Sequence, residues 1–438
     1  FKQKTAYEML RSLVGSEMCI RDRDCGMTNL FKIAARNLMR YKRRTLLTLG
    51  LIVIGVVFVA VFVGVTDSFK NMMIGQITDS YIGHMQIHRK GYLAAIDTLP
   101  LNMNLKLRAY GRIESILKET PGVESYSPRI KLGGMFSNFT ETTSIRLNGV
   151  DPEKEVRTAP LLMSRVLDGE KVISKGKILV PELLARGMKV KVGDPVVVIA
   201  TNKDGSVNGK QFQVGGILEG VTGPGGRDGY VHIEDAAELL RMEEMEISEI
   251  AVRLRDFSLL QPMFKEIGGR LSQEKNPAGQ PMFEVHTWET LSPFYNIARM
   301  IDLMTVFIKI MLVAIVLVSI MNVMIMAVYE RVREIGTIAA MGTPPRRILS
   351  LFLVEGLLMG VIGAVLGILL SIGIAFILNV SKITFDFGRQ TGLLLSARLN
   401  PAELLVVAGI VIVVAVVASL QPSLKAARMD PIQALGHV

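Results

Sequence analysis

Residues 45–66 read TLLTLGLIVIGVVFVAVFVGVT, 22 positions without one charged side chain. At 1.5 Å of rise per residue, roughly 20 such residues cross the ~30 Å hydrocarbon layer of a bilayer as a helix. In lipid only a helix or a closed barrel leaves no backbone amide unsatisfied. Three more uncharged runs follow, at 310–329 (20 residues), 356–381 (26) and 404–424 (21). A 438-residue chain that concentrates its apolar half in this way is not a water-soluble globule. Disorder and collagen-like repeats are excluded by the same composition. The reading is a membrane α-helical fold with four transmembrane helices.

The formal charge of +10 suggests nucleic acid until it is located. Residues 67–302 hold 29 Lys/Arg against 30 Asp/Glu, whereas residues 27–66 and 303–438 together hold 16 against 6. The excess flanks the spans, where it sets topology and meets anionic headgroups. No basic surface is left for a nucleic-acid partner. Lys32, Arg36, Arg40, Lys42, Arg43 and Arg44 precede the first span with no acidic residue among them, which places that flank in the cytoplasm. Four spans then return the C-terminal end to the same side. The loop with Arg331, Arg333, Arg346 and Arg347 is also inside, and residues 67–302 and 382–403 are outside. Residues 1–26 hold both cysteines, Cys19 and Cys25, and resemble a translated sequencing-adapter read-through rather than a targeting peptide. We expect them to be a non-native leader, with Met27 as the start. The expected parts are then 27–66, 67–302 and 303–438.

Residues 28–40 have the pattern of an amphipathic helix. Leu30, Ala34 and Leu38 form one row and Lys32, Arg36 and Arg40 the opposite one. It either lies in the cytoplasmic membrane interface or packs on the protein's own spans. Beyond span 1, Phe69, Met73, Ile77 and Tyr81 recur every four residues, and Ile297, Met300, Ile301 and Met304 precede span 2. Two such rods predict a stalk toward the outer part. Lys309 is expected to snorkel to the outer headgroups. The 67–302 segment alternates short strand and helix signals. Strands are expected at 84–89, 144–150, 177–180, 195–200, 211–218, 230–233 and 250–254, and helices at 105–119, 235–242 and 258–271. This predicts a large extracytoplasmic α+β domain inserted between helices 1 and 2, of one or two lobes.

No constellation for catalysis emerges. There is no G-x-x-x-x-G-K-[ST] phosphate loop and no G-x-S-x-G elbow. The Gly-rich run 223–229 is read as a turn. His84 and His88 share a strand face but lack a third ligand at fixed spacing, so no metal site and no cofactor are expected. The informative segment is the inner loop Tyr329-Glu-Arg-Val-Arg-Glu-Ile-Gly-Thr-Ile-Ala-Ala-Met-Gly-Thr-Pro-Pro-Arg-Arg-Ile348. Val332, Ile335, Ile338 and Ala339 fall at helical spacing among charged neighbours, and Gly342 with Pro344-Pro345 ends the helix. Such a helix either docks in a groove of a soluble partner or is a solvated connector.

The motif Glu330-Arg-x-Arg-Glu334-Ile-Gly336, with Ala340-Met341-Gly342 and then Glu355-Gly356 opening a Gly-rich span, resembles the permease family of FtsX, MacB and the lipoprotein-releasing LolC/LolE subunits. The ending Pro422-x-x-x-Ala426-Ala427-x-x-x-Pro431-x-x-Ala434-Leu435 resembles the same family, and 83–92 resembles the LolE-like branch. Ala339 departs from the Arg or Lys usual in that family. The resemblance implies a MacB-like periplasmic core domain and an ABC transporter permease in the bacterial inner membrane. It implies a separate cytoplasmic ATPase dimer, with this chain a mechanical transmitter and not itself an enzyme. The other implied partners are a second permease copy or paralogue, a membrane lipid or lipoprotein cargo, and a periplasmic chaperone or adaptor. It assigns Glu330, Arg331, Arg333, Glu334, Ile335, Gly336, Ala340, Met341 and Gly342 to ATPase coupling, and Phe69, Met73, Ile77 and Tyr81 to the stalk. Gly356, Gly360, Gly363 and Gly367 permit close helix packing, within the chain or between subunits. Lipoprotein release is the leading expectation. MacB-like efflux and FtsX-like regulation of a cell-wall hydrolase are the alternatives.

Overall fold

The computed structural model describes residues 26–40, 42–220, 228–276, 279–387, 390–394 and 396–430. Four of its helices are long and apolar enough to cross a membrane: span 1 within Thr45–Ile82, span 2 at Tyr295–Glu330, span 3 at Pro345–Val380 and span 4 at Pro401–Ala427. The α+β domain lies between spans 1 and 2 in the chain. The chain divides into two compact units, one containing the membrane helices and the other comprising Lys70–Met300 with Phe385–Leu393.

In the membrane unit, the start of each helix follows from its sequence. Pro344-Pro345 and Asn400-Pro401 stop the preceding segment and place a proline in the first turn, where its missing N–H costs nothing. The Asn400 side chain accepts from the Ala402 amide at 3.0 Å and caps span 4. The spans meet along rows at helical spacing: Ile52, Val56, Val59 and Val63 of span 1, Leu312, Val316, Ile320 and Met324 of span 2, and Val407, Val411 and Ala415 of span 4. Opposite faces keep Leu46, Phe58, Phe307, Phe376 and Leu405 exposed, as lipid contact requires. Lys309 does not stand alone: its Nζ lies 2.7 Å from Glu403 at the start of span 4. The amphipathic helix Gly26–Arg40 buries Ala34 completely and packs Leu38 on the helix core, while Met39 stays exposed.

The inserted domain contains β1 (Met85–Arg89), β2 (Leu105–Lys106), β3 (Val123–Ser137), β4 (Thr142–Val150), β5 (Val166–Gly169), β6 (Lys177–Pro181), β7 (Pro195–Thr201), β8 (Val207–Leu218), β9 (Asp228–His232), β10 (Glu246–Ile247), β11 (Glu249–Leu254) and β12 (Phe283–Thr287). Two lobes share the long strand β3. The first half of β3 closes an antiparallel sheet in the order β12-β1-β11-β3. The helices Leu107–Glu119 and Leu260–Ser272 follow β2 and β11, giving a split β-α-β-β-α-β arrangement. Its second half pairs β4 on one edge and β7 on the other, and the ladder β4-β9-β6-β8-β7 returns to β3. That closed ring of six strands leaves no free edge. Gly134 permits the closure, because a Cβ there would come within 2.7 Å of the Ile199 carbonyl oxygen.

All seven expected strands are present. The helix expected from residue 105 begins at Leu107, because Leu105–Lys106 is β2, paired with β10. Strands β3, β5, β10 and β12 were not anticipated. The run 223–229 lies outside the described residues except for Asp228 and Gly229, which begin β9. Between spans 3 and 4 there is a two-stranded hairpin, β13 (Thr384–Phe387) with β14 (Gln390–Leu394).

Candidate functional site

Span 2 ends at Glu330, and a short helix resumes at Val332–Ala340. Arg331 between them leaves helical geometry, with φ −111° and ψ 19°. Its guanidinium turns inward and is 8% exposed, and Nη1 donates to Glu355 Oε1 at 3.0 Å. Glu355 sits in span 3 at 3% side-chain exposure. The same oxygen accepts from Asn37 Nδ2 at 2.6 Å, and Arg331 Nη2 donates to the Asn37 carbonyl at 3.4 Å. One carboxylate thus ties together the amphipathic helix, the break after span 2 and the third turn of span 3. Outside this cluster Arg40 Nη1 donates to Glu334 Oε1 at 3.1 Å, where solvent reaches both side chains. Removing one partner of a fully buried pair costs up to about 3–5 kcal/mol. The exposed pair contributes roughly 0–1 kcal/mol.

The residues assigned to coupling divide by face. Ile335 and Gly336 are buried, Ile335 in the helix core, and with Arg331 they face the membrane unit. Glu330, Arg333, Glu334, Ala340, Met341 and Gly342 are exposed, as is Ile338 at 37%. Gly342, at φ +88°, gives the left-handed turn that ends the helix. The result is a mixed apolar and charged outer face supported from behind.

Phe69 is half-buried on the helix of span 1. Met73 and Ile77 on that helix are buried in the core of the inserted domain, with Ala298 from the start of span 2. The four-residue spacing does not extend to Tyr81 as one α-helix, because Thr78–Ile82 forms a π turn. Tyr81 Oη instead donates to Asp228 Oδ2 at 2.8 Å. The glycines of span 3 face neighbours in the same chain. A Cβ on Gly363 or Gly367 would lie 2.6 Å from Ile52 or Val56 of span 1, and one on Gly360 would lie 2.6 Å from Ala415 of span 4. Gly356 meets Ser419 in the same way.

A second charged cluster, absent from the sequence reading, lies in the inserted domain. Arg129 of β3 donates to both Glu155 oxygens, at 2.7 and 3.1 Å, and to Glu249 Oε1 at 3.1 Å. Lys131 lies 3.0 Å from the other Glu249 oxygen, with His88 at 3.7 Å. Burial alone would raise the Glu249 carboxyl, but Lys131, His88 and Arg129 hold it well below the carboxylate range. Burial would also lower Lys131, yet Glu249 and Asp228 keep it charged, above its usual value. His88 is held below 6.5 by burial, despite Glu249 beside it. His84 uses Nδ1 to accept the Leu254 amide at 3.1 Å. Among the described residues, no group of three His, Cys, Asp or Glu side chains is placed to hold a metal.

Glu355 and Asn37 were not recognised as site residues. Glu355 had left a signal: it is the only charged residue between Arg347 and Lys382. An ionisable group in such a helix calls for a partner. Asn37 had left none.

Two family models match the chain. The MacB-like periplasmic core domain covers residues 45–268, and the FtsX-like permease C-terminal domain covers residues 306–431. The probable export ATP-binding/permease protein MacB of Pseudomonas entomophila (strain L48) is 25% identical over 431 residues, covering 93% of this chain and 58% of its own length. The lipoprotein-releasing system transmembrane protein LolC of Neisseria meningitidis serogroup B is 22% identical over 414 residues, covering 90% of this chain and 94% of its own. Among solved structures, the periplasmic region of MacB from Actinobacillus actinomycetemcomitans is 15% identical, with a TM-score of 0.34, covering 47% of this chain and 89% of its own. The chain therefore spans little more than half the length of the P. entomophila protein.

Proposed function

Since the chain belongs to the FtsX/MacB family of ABC transporter permeases, we propose that it is a mechanotransmitter driven by a separate cytoplasmic ATPase dimer. In this reading it lies in the bacterial inner membrane with both ends in the cytoplasm, residues 67–302 are periplasmic, and a second copy or a paralogue completes the permease. The supporting observation is the short helix Val332–Ala340. Its outer face presents Arg333, Glu334, Ile338 and Met341, while its base is anchored through the Arg331–Glu355–Asn37 cluster. A push on that face is resisted at Arg331 and passes into spans 2 and 3 rather than deforming a loop. Motion of spans 1 and 2 then reaches the periplasmic domain through Met73, Ile77 and Ala298, which are part of its core.

The cargo in this proposal is amphipathic, and lipoprotein release toward the outer membrane is the favoured case. The similarity to a LolC protein over nearly the full length of both chains supports it. Export of a small amphipathic compound is the second reading, supported by similarity to a MacB protein over 93% of this chain.

The test uses the chain co-expressed with its partner ATPase. Glu334→Lys reverses a charge at the docking face, so ATPase co-purification and cargo-linked ATP turnover should be lost while membrane insertion and yield are kept. Wild-type co-purification and turnover in this variant would remove the helix from the mechanism.

A further inference from the structure

One side of the inserted domain is positive although the domain as a whole is not. Arg89, Lys90, Lys106, Arg108, Arg112 and Lys275 line a cavity of about 650 Å³. Of these six cations only Arg112 has a carboxylate partner among the described residues, Glu274 at 2.6 Å. Arg89 donates instead to the Asn102 carbonyl, at 3.2 Å. Five cations without a carboxylate partner therefore gather around one hollow. The helix Leu107–Glu119 opens into the same cavity. Its first turn has no acidic residue and its N-cap, Lys106, makes no side-chain cap. The partial positive charge of a helix start adds to that of the side chains.

Asn104 gives a second, independent sign. It lines the cavity, is only 4% exposed, and neither its amide nitrogen nor its amide oxygen has a partner. Two orphaned polar atoms at one buried side chain are costly unless a bound group satisfies them. A group that satisfies both offers an acceptor beside a donor. A bare anion such as sulfate supplies only the acceptor, whereas a phosphorylated polyol or sugar supplies phosphate oxygens and hydroxyls together. The cavity falls in the range of small-molecule sites, roughly 300–1,000 Å³.

We propose that this cavity binds a phosphate-bearing polyol or sugar. Asn104 reads the junction of phosphate and hydroxyl, and Lys106, Arg108 and Lys275 neutralise the phosphate charge. The ligand is either a free phosphoester or the headgroup of an anionic lipid. The proposal stands independently of the cargo assigned above, since it rests on the cavity alone.

The experiment uses the full chain in detergent and follows hydrogen exchange at residues 104–112 and 279–283. One arm adds fructose 1,6-bisphosphate, and the other compares mixed micelles containing phosphatidylglycerol or phosphatidylcholine. Protection by the bisphosphate identifies the free source. Protection by phosphatidylglycerol and not phosphatidylcholine identifies the lipid source. Either effect should weaken about tenfold or more in Lys106→Glu/Arg108→Glu, which changes only exposed side chains. Asn104→Leu should weaken it too, and should leave the residual protection no stronger than that given by sulfate. Absence of protection in both arms overturns the proposal. So does equal protection of the wild type by sulfate, by polyglutamate, or in the charge-reversed variant.

Discussion

Two clusters of buried charge, one in the inserted domain and one in the membrane unit, are built differently. In the inserted domain the partners are shared: Arg129 holds two carboxylates, and Glu249 is shared by Arg129 and Lys131 with His88 nearby. The surrounding strands are paired on both edges. In the membrane unit Glu355 accepts from the Arg331 guanidinium and the Asn37 amide, beside a residue that has left helical geometry. The first arrangement is over-determined: losing one contact leaves the others in register. The second sits at a break between helices and bridges three separate segments. A network of the first kind holds a scaffold rigid, whereas one of the second kind suits a joint between segments. Both cost desolvation, so what separates them is their setting: one lies within strands paired on both sides, the other at a break between helices.

The largest expected effect comes from taking the shared carboxylate out of the dense cluster. In Glu249→Ala, Lys131 loses its ion pair and Arg129 keeps only Glu155. We expect a loss of about 3–5 kcal/mol, enough to melt the inserted domain well below the membrane helices. Limited proteolysis of the full chain in detergent should then cut within 70–300 at temperatures the wild type survives. An unchanged melting profile would show that the cluster is no more than a satisfied surface pair moved indoors, and the contrast would disappear.

Removing the carboxylate of the membrane-unit cluster should have a smaller and more local effect. In Glu355→Ala, Arg331 retains the Asn37 carbonyl and lies one residue from solvent-exposed helix, so a cost of about 2–3 kcal/mol is expected, below the full penalty for a buried pair. Hydrogen exchange should rise in 332–340 and 34–40 while the strands of the inserted domain keep their protection. Equal loosening of both regions would mean that the cluster supports the whole chain and is not a joint.

The two clusters also differed in how far they could be read from sequence. The spans were legible because twenty uncharged residues are a local signal, and β1, β4, β6 and β7 were legible because each alternates or is a short apolar run between turn residues. Strand β3 was not. Ser125, Pro128, Lys131, Gly133 and Gly134 interrupt its pattern, and residues 127–132 are all buried, so alternation carries no information there. The hub of the fold therefore carries no strand signal in the sequence. Arg129 and Glu249 are 120 residues apart, and Asn37 and Glu355 are 318 apart. Such pairs exist only once the chain has folded. The helix after span 2 was legible by its 3.6-residue period. The same period placed Ile335 on the inner face, and the motif obscured this by marking the whole segment for a partner.

Acid should separate the clusters by the smallest measurable margin. His88 is held below 6.5 in the folded domain, mainly by burial. As pH falls below 6.5 the unfolded chain takes up that proton and the native domain does not, so stability declines from there downward. Glu249 is held below 4.5, so its contribution is complete above 4.5 and is lost as pH falls toward its native value. The two limbs have the same sign and join into one slope from about pH 6.5 downward. Lys131, raised above 10.5, adds a loss only at the alkaline end, since its contribution holds below 10.5. His88→Phe keeps the ring stacked near Tyr92, at 5.2 Å in the native domain, and has no proton to take up. The variant should lose the part of the slope between pH 6.5 and 4.5 and keep the part below. Melting of the inserted domain in the full chain, followed by exchange at β1 and β11 across that range, measures it. An unchanged slope between 6.5 and 4.5 in His88→Phe would assign the acid sensitivity to other groups and leave the dense cluster indifferent to pH in that range.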